Sequence, residues 1–166
     1  MCSLPSRRIS RVEIDGNVGD EYDFDNARLG DGLRLATAIT VKPTDHLALE
    51  FIGNRQTLDV TGDDGRKGRL FTAQIERLKA TYTFSARAFL RLIGQWVETR
   101  RDPSLYRFEV ARREGAFDGS ALFGYKLNWQ TVLFVGYGDS RALLENGSLA
   151  RAGRQFFLKV SYAFQS

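Results

Sequence analysis

Along much of this chain, apolar and polar residues alternate with a period of two. From Leu33 to Val41 the odd positions read Leu33, Leu35, Thr37, Ile39 and Val41, and the even ones read Arg34, Ala36, Ala38 and Thr40. Such a pattern builds a β-strand with one apolar face. Pro43 and Asp45 suit a turn, after which Leu47, Leu49 and Phe51 alternate with His46, Ala48 and Glu50. The segment is therefore expected to be a hairpin. The same unit recurs around SARAF, between Phe84 and Leu90, and around NWQTV, between Leu127 and Leu133. The residues that open the three turns, 41, 84 and 127, are each 43 apart. The repeat is one of geometry and not of residues, so it does not indicate a solenoid.

Between the hairpins run polar, glycine-bearing stretches at 54–69, 98–119 and 138–153, with a similar one at 15–32 before the first clear strand. They read as long loops, so that short turns alternate with long connections. A weaker strand around Arg7–Ile14 brings the expected number to eight. In the last segment Phe156, Leu158, Val160, Tyr162 and Phe164 share one face, and Phe157, Lys159, Ser161 and Ala163 share the other. Soluble proteins blunt an edge strand with charge or proline, and this one is apolar to its end. One strand breaks the pattern. Its apolar positions are odd through Phe71, Ala73 and Ile75 and even from Leu78 to Phe84, so that either a β-bulge around Glu76–Arg77 switches the face or the segment above Arg77 projects beyond the membrane.

Alternation does not choose a solvent. A soluble barrel turns its apolar face inward and a membrane barrel turns it outward. Three features favour the membrane. Short turns face long loops, as in outer-membrane barrels. Aromatic residues gather at strand ends: Tyr82, Phe84, Tyr125, Tyr162 and Phe164 near the short turns, Trp96 and Phe156 near the loops. The strands also match the roughly 9–11 residues that cross a bilayer when tilted. The expected fold is all-β, an antiparallel up-and-down transmembrane barrel of seven or eight strands over residues 1–166, with 1–32 the least regular part. The alternative is a soluble β-barrel that binds a small apolar ligand.

Composition narrows the chemistry. The 166 residues are 43% hydrophobic, enough for one domain, and carry a formal charge of +4 with arginines scattered among acids. No basic patch points to nucleic acid. The lone Cys2 precludes an internal disulfide, and the lone His46 precludes a paired-histidine metal site. No apolar run reaches the roughly 18 residues of a spanning helix, and MCSLPSRRIS lacks the apolar core of an export signal. His46, with Asp45 and Glu50 nearby, has no serine or cysteine partner at its turn and reads as structural. Asp63 and Asp64 lack the spacing and closing glutamate of a calcium loop. Asp20, Glu21, Asp23 and Asp25 are the one group of carboxylates suited to divalent ions that bridge lipopolysaccharide. Asn146 opens an NGS sequon, which has no meaning in a bacterial barrel. No catalytic residue, cofactor or metal site is assigned.

The segments RLATAITVKPTDHLALEF, ALFGYKLNWQTVLFVGY and LFVGYGDSR…GRQFFLKVSYAFQS resemble the C-terminal barrel, a domain of unknown function, of large bacterial outer-membrane proteins with an N-terminal carbohydrate-binding-like sandwich. The likeness covers most of residues 30–166. It implies a non-enzymatic anchor or porin-like passage in the outer membrane. The chain would then be a fragment whose sandwich domain and export signal lie outside it. The implied partners are outer-membrane lipids, lipopolysaccharide and the barrel-assembly machinery, which would read the terminal strand Phe156–Phe164; Gln165 and Ser166 follow the usual terminal aromatic. By the alternation Arg34, Lys79, Arg91, Lys126 and Lys159 face the lumen, with Glu50 alone against them and Arg11, Glu13 and Asp15 added by the uncertain first strand. Such a cationic lumen suits anions or polar solutes, and its excess charge favours a larger parent barrel with acidic partners on further strands.

Overall fold

The alternating segments do form strands. A computed structural model describes residues 10–62 and 65–164 as one antiparallel sheet in chain order. Its strands are β1 (Ser10–Asp23), β2 (Arg28–Val41), β3 (Leu47–Thr61), β4 (Lys67–Ser85), β5 (Ala88–Arg101), β6 (Arg113–Lys126), β7 (Thr131–Leu143) and β8 (Leu149–Tyr162). β1 pairs only with β2 and β8 only with β7, so the sheet is open. Besides the strands the described residues hold a single 3₁₀ turn at Pro103–Leu105. No helix among them is long and apolar enough to cross a membrane.

Three of the connections lie at what we call the turn end, and side chains close them. Thr44 Oγ1 accepts the backbone N–H groups of His46 and Leu47, and Asn128 Oδ1 accepts those of Gln130 and Thr131. Between them Ser85 Oγ accepts the N–H of Arg87 in the shortest turn. These local bonds are the reason serine, threonine and asparagine serve as turn residues.

The expected long loops are in fact strand. β-Strands run from 13 to 19 residues, through most of the polar stretches, and leave connections at 24–27, 62–66, 102–112 and 144–148. Only 102–112 is long. A polar stretch loses the period-two signal once both faces carry charge, but its backbone can still pair. Side chains then hold the ladder across strands: Arg34 bonds Glu21, Arg69 bonds Asp59, and Arg154 Nε lies 3.1 Å from Asp139. The first strand likewise extends past Ile14 through the acidic residues to Asp23, while residues 1–9, Cys2 among them, lie outside the described residues.

β4 also departs from the expectation of a bulge. It keeps register through Glu76 and Arg77, with Glu76 opposite Gly53 and Trp96. Its irregularities fall at Leu70 and at Phe84 instead. The apparent change of face marks where one face turns polar, not where the strand slips.

Residues directly opposite in the ladders share a face, so the register sorts every strand. One face, which we call the banded face, is apolar near the turn end and charged beyond it. The other, the mixed face, alternates charged, small and apolar side chains. At the far end the mixed face carries the small core. Leu58, Val60 and Leu70 are 1–2% exposed there, packed under Phe71, Leu105 and Tyr106. The bulge at Leu70 lets it join Leu58 and Val60. Segment 102–112 reaches back over this core, with Arg107 N donating to Asn26 Oδ1 at 3.2 Å and Arg28 donating to the Leu105 carbonyl. Gly68 gives it room, since a Cβ there would stand 2.9 Å from Leu105 Cδ1. Burial pushes the Tyr106 hydroxyl above its ordinary range.

Candidate functional site

Two surfaces have functional geometry, the band and the mixed face. On the banded face the first charged position beyond the apolar run is Asp20 in β1, Asp31 in β2, Arg55 in β3 and Glu76 in β4. It is Glu98 in β5, Arg113 in β6, Asp139 in β7 and Arg154 in β8. The border does not follow the hydrogen-bond rows. The row of Arg154 passes through Asp139, Gly119, Gly94, Leu78, Phe51 and Ile39 to Val12, and in β1 the border stands eight residues beyond Val12, at Asp20. It does not rise evenly: it is level in β8 and β7, stands six residues up in β6, falls back to two in β4 and reaches eight in β2 and β1. Across the whole sheet the trend is about one residue per strand, roughly 3.3 Å along for each ~4.8 Å across, or oblique by about 35–40°. Below it the apolar side chains stand open: Leu92 is 46% exposed, Leu158 64% and Val12 60%.

From β5 to β8 the charges at the border are paired, whereas Asp20, Arg55 and Glu76 have no ion pair among the described residues. Glu98, only 2% exposed, accepts from Arg100 Nε and Arg113 Nε at 2.6 Å each, and from Trp96 Nε1 at 3.3 Å. Asp139 accepts from Arg141 Nε at 2.8 Å as well as from Arg154. Sequence reasoning missed these clusters because it treated their segments as loops.

The mixed face holds all five cations singled out in the sequence. The register places Arg34, Lys79, Arg91, Lys126 and Lys159 there together with Glu50. It adds Arg77, Glu21, Asp23, Glu114 and Asp118, so Glu50 is not alone. Arg34 pairs with Glu21, which also accepts from Gln56 Nε2 at 2.8 Å, and Lys79 Nζ lies 2.6 Å from Glu50. Arg91, Lys126 and Lys159 have no carboxylate partner among the described residues. Two of the grooves on this face lie away from the turn end. One, of about 500 Å³ over β4–β8, includes Arg77, Gln95, Asp118, Ser120 and Gln155 in its wall. The other, of about 490 Å³ over β1–β4, includes Asp15, Arg34, Asn54 and Gln56. Both offer hydrogen bonds to a polar solute.

The remaining candidates have local duties. His46 Nδ1 lies 2.7 Å from the Thr83 carbonyl, which only accepts, so that nitrogen carries the hydrogen and ties the turn to β4. Asn146 Oδ1 closes its turn by accepting from Ser148 N and Oγ. The acidic run does not converge. Asp20 lies on the banded face and Asp25 in the turn, Glu21 is held by Arg34, and Asp23 is held by Arg28 Nε at 2.9 Å. Among the described residues no three histidine, cysteine, aspartate or glutamate side chains gather around a metal position. Asp63 and Asp64 lie outside the described residues.

Comparison of the chain with protein-family models, with curated proteins and with solved structures finds no match.

Proposed function

We propose that this chain is a transmembrane β-barrel, or the C-terminal part of a larger one, in the bacterial outer membrane. In this reading it acts without catalysis, as the anchor or solute passage of a longer, carbohydrate-related protein. The oblique border carries the proposal. Strands in a closed barrel tilt by about 35–45° from its axis, so a band level with a membrane must cross the hydrogen-bond rows at that angle. The overall trend of the border from β8 to β1 has that slope, with a reversal between β6 and β4. Along β2 the apolar run from Leu33 to Val41 rises about 26 Å, or about 21 Å once tilted, close to the ~25 Å band of outer-membrane barrels. A soluble ligand-binding barrel would instead enclose the banded face; segment 102–112 and the larger grooves belong to the other one, and the banded face has a smaller groove of about 190 Å³ between Leu35, Phe51 and Glu76. The resemblance of the hairpins and of the terminal strand to outer-membrane barrels supports the same reading. Lipids and lipopolysaccharide are then the partners of the band. The assembly machinery would meet the exposed edge of β8, where Tyr162 and Phe164 stack edge to face at 4.8 Å.

The test is gel mobility in SDS after refolding in detergent or vesicles. A closed eight-stranded barrel is expected to migrate faster unboiled than boiled. A folded chain that needs detergent but shows no shift would assign these strands to a larger barrel. No shift from a chain that stays in solution without detergent would sink the membrane reading.

A further inference from the structure

We propose that Arg87, Arg91 and Lys126 form a binding site for an oxyanion, a phosphate or carboxylate group carried by a water-borne solute. The inference rests on the passage reading for the solute's route, while the site itself is built by one hairpin and its neighbour. The three cations share a groove of about 300 Å³ at the turn end of the mixed face, whose wall also includes Thr81, Thr83 and Ser85. No carboxylate lines it. Lys126 N donates to the Arg87 carbonyl at 2.8 Å, which sets the two residues directly opposite across adjacent strands. Like charges so placed repel unless an anion lies between them.

Arg91 comes back toward that pair. Its guanidinium carbon sits 5.7 Å from the centroid of the Phe89 ring, which lies between Arg91 and Arg87 on the same face. The ring in turn covers Gly124, where a Cβ would stand 2.4 Å from it, so Phe89 forms the floor of the groove. Arg91 Nε is buried there without a hydrogen-bond partner, a donor left over for a ligand. Ser85 Oγ accepts from Arg87 N, which leaves its own hydrogen free to donate, and Thr81 and Thr83 add two hydroxyls. Arg34 and Lys79, on the same face, each have a carboxylate, which separates this groove from the rest of the cationic set. Guanidinium forks with hydroxyl donors match the oxygens of a phosphate or carboxylate.

The experiment titrates inorganic phosphate into the refolded chain in zwitterionic detergent at low salt, followed by calorimetry. One saturable site is expected. Arg91→Gln and Lys126→Gln should each weaken it about tenfold, as loss of a charged hydrogen bond does. Arg91→Lys should bind between the two, and Lys67→Gln, at the other end of the sheet, should bind as wild type. Circular dichroism of each variant identifies any that fails to fold, and the proposal is judged on those that fold. Absence of saturation in folded wild type would overturn it, and so would equal weakening by Lys67→Gln. Competition by phosphatidylglycerol micelles would overturn the assignment to a solute in favour of a lipid headgroup. Phosphate binding by a chain that folds without detergent would keep the site and sink the membrane reading. A heat-modifiable barrel that ignores phosphate would do the reverse.

Discussion

Leu92→Arg is expected to prevent folding into lipid vesicles. Leu92 lies within the band, in the row of Val41, Leu49, Ala80, Ala121, Tyr137 and Phe156, and is 46% exposed. A guanidinium on the lipid face near the midplane costs about 2–4 kcal/mol, a large share of a stability of roughly 5–15 kcal/mol. Protease protection of the vesicle-bound chain measures the outcome. The wild type should be protected, Leu92→Phe should match it, and Leu92→Arg should be digested. A soluble barrel that enclosed the banded face would bury the same charge in its core, so the wild type's need for detergent is what separates the two readings. Equal protection of Leu92→Arg and wild type would contradict a lipid-facing band.

The second large effect is expected at Glu98. Its carboxylate is almost fully buried and is the common acceptor of Arg100, Arg113 and Trp96. Glu98→Ala removes the shared acceptor of the half-buried Trp96 and Arg113 donors. Removing one partner of a fully buried ion pair costs about 3–5 kcal/mol. Here Arg100 is 63% exposed and recovers water, so about 2–3 kcal/mol is the expected loss. Glu98→Gln keeps an acceptor of the same shape and should lose about half of that. Urea unfolding in detergent, followed by tryptophan emission, measures both. An unchanged midpoint for Glu98→Ala would show that this cluster contributes nothing to holding β5 against β6.

The hairpins were legible because an apolar face against a polar one is a period of two, and Pro43, Ser85 and Asn128 interrupt it where local bonds can close a turn. Half of each strand was hidden for the same reason. Beyond the border both faces carry charge, and at Glu98 or Asp139 nothing in the local pattern says whether the backbone is paired. What keeps those parts in the sheet is a partner on another strand. Glu21 meets Arg34 and Gln56, thirteen and thirty-five residues away, and such pairings follow only from register. Hidden acids then made the mixed face look more cationic than it is. Glu76 left two readings open, a bulge or a segment beyond the membrane; the unbroken register there removes the bulge and leaves Glu76 as the first charged residue above the apolar run. Arg87 escaped notice because it sits in a turn, outside any count by alternation. The register sets the five cations on one face, and it alone separates paired Arg34 and Lys79 from Arg91 and Lys126.

The most direct measurement compares neighbours on opposite faces. In a background with Trp96 and Trp129 replaced by phenylalanine, a single tryptophan is introduced as Leu92→Trp or as Ile93→Trp. Leu92 pairs with Ala80 on the banded face, and Ile93 pairs with Lys79 on the mixed face. Each variant is refolded into vesicles of lipids brominated along their acyl chains, and its emission is compared with that in unbrominated lipid. Strong quenching of the tryptophan at 92 and little at 93 is the expected result for a band that meets lipid. Quenching at 93 but not at 92, or at neither while the chain stays in solution, would contradict it.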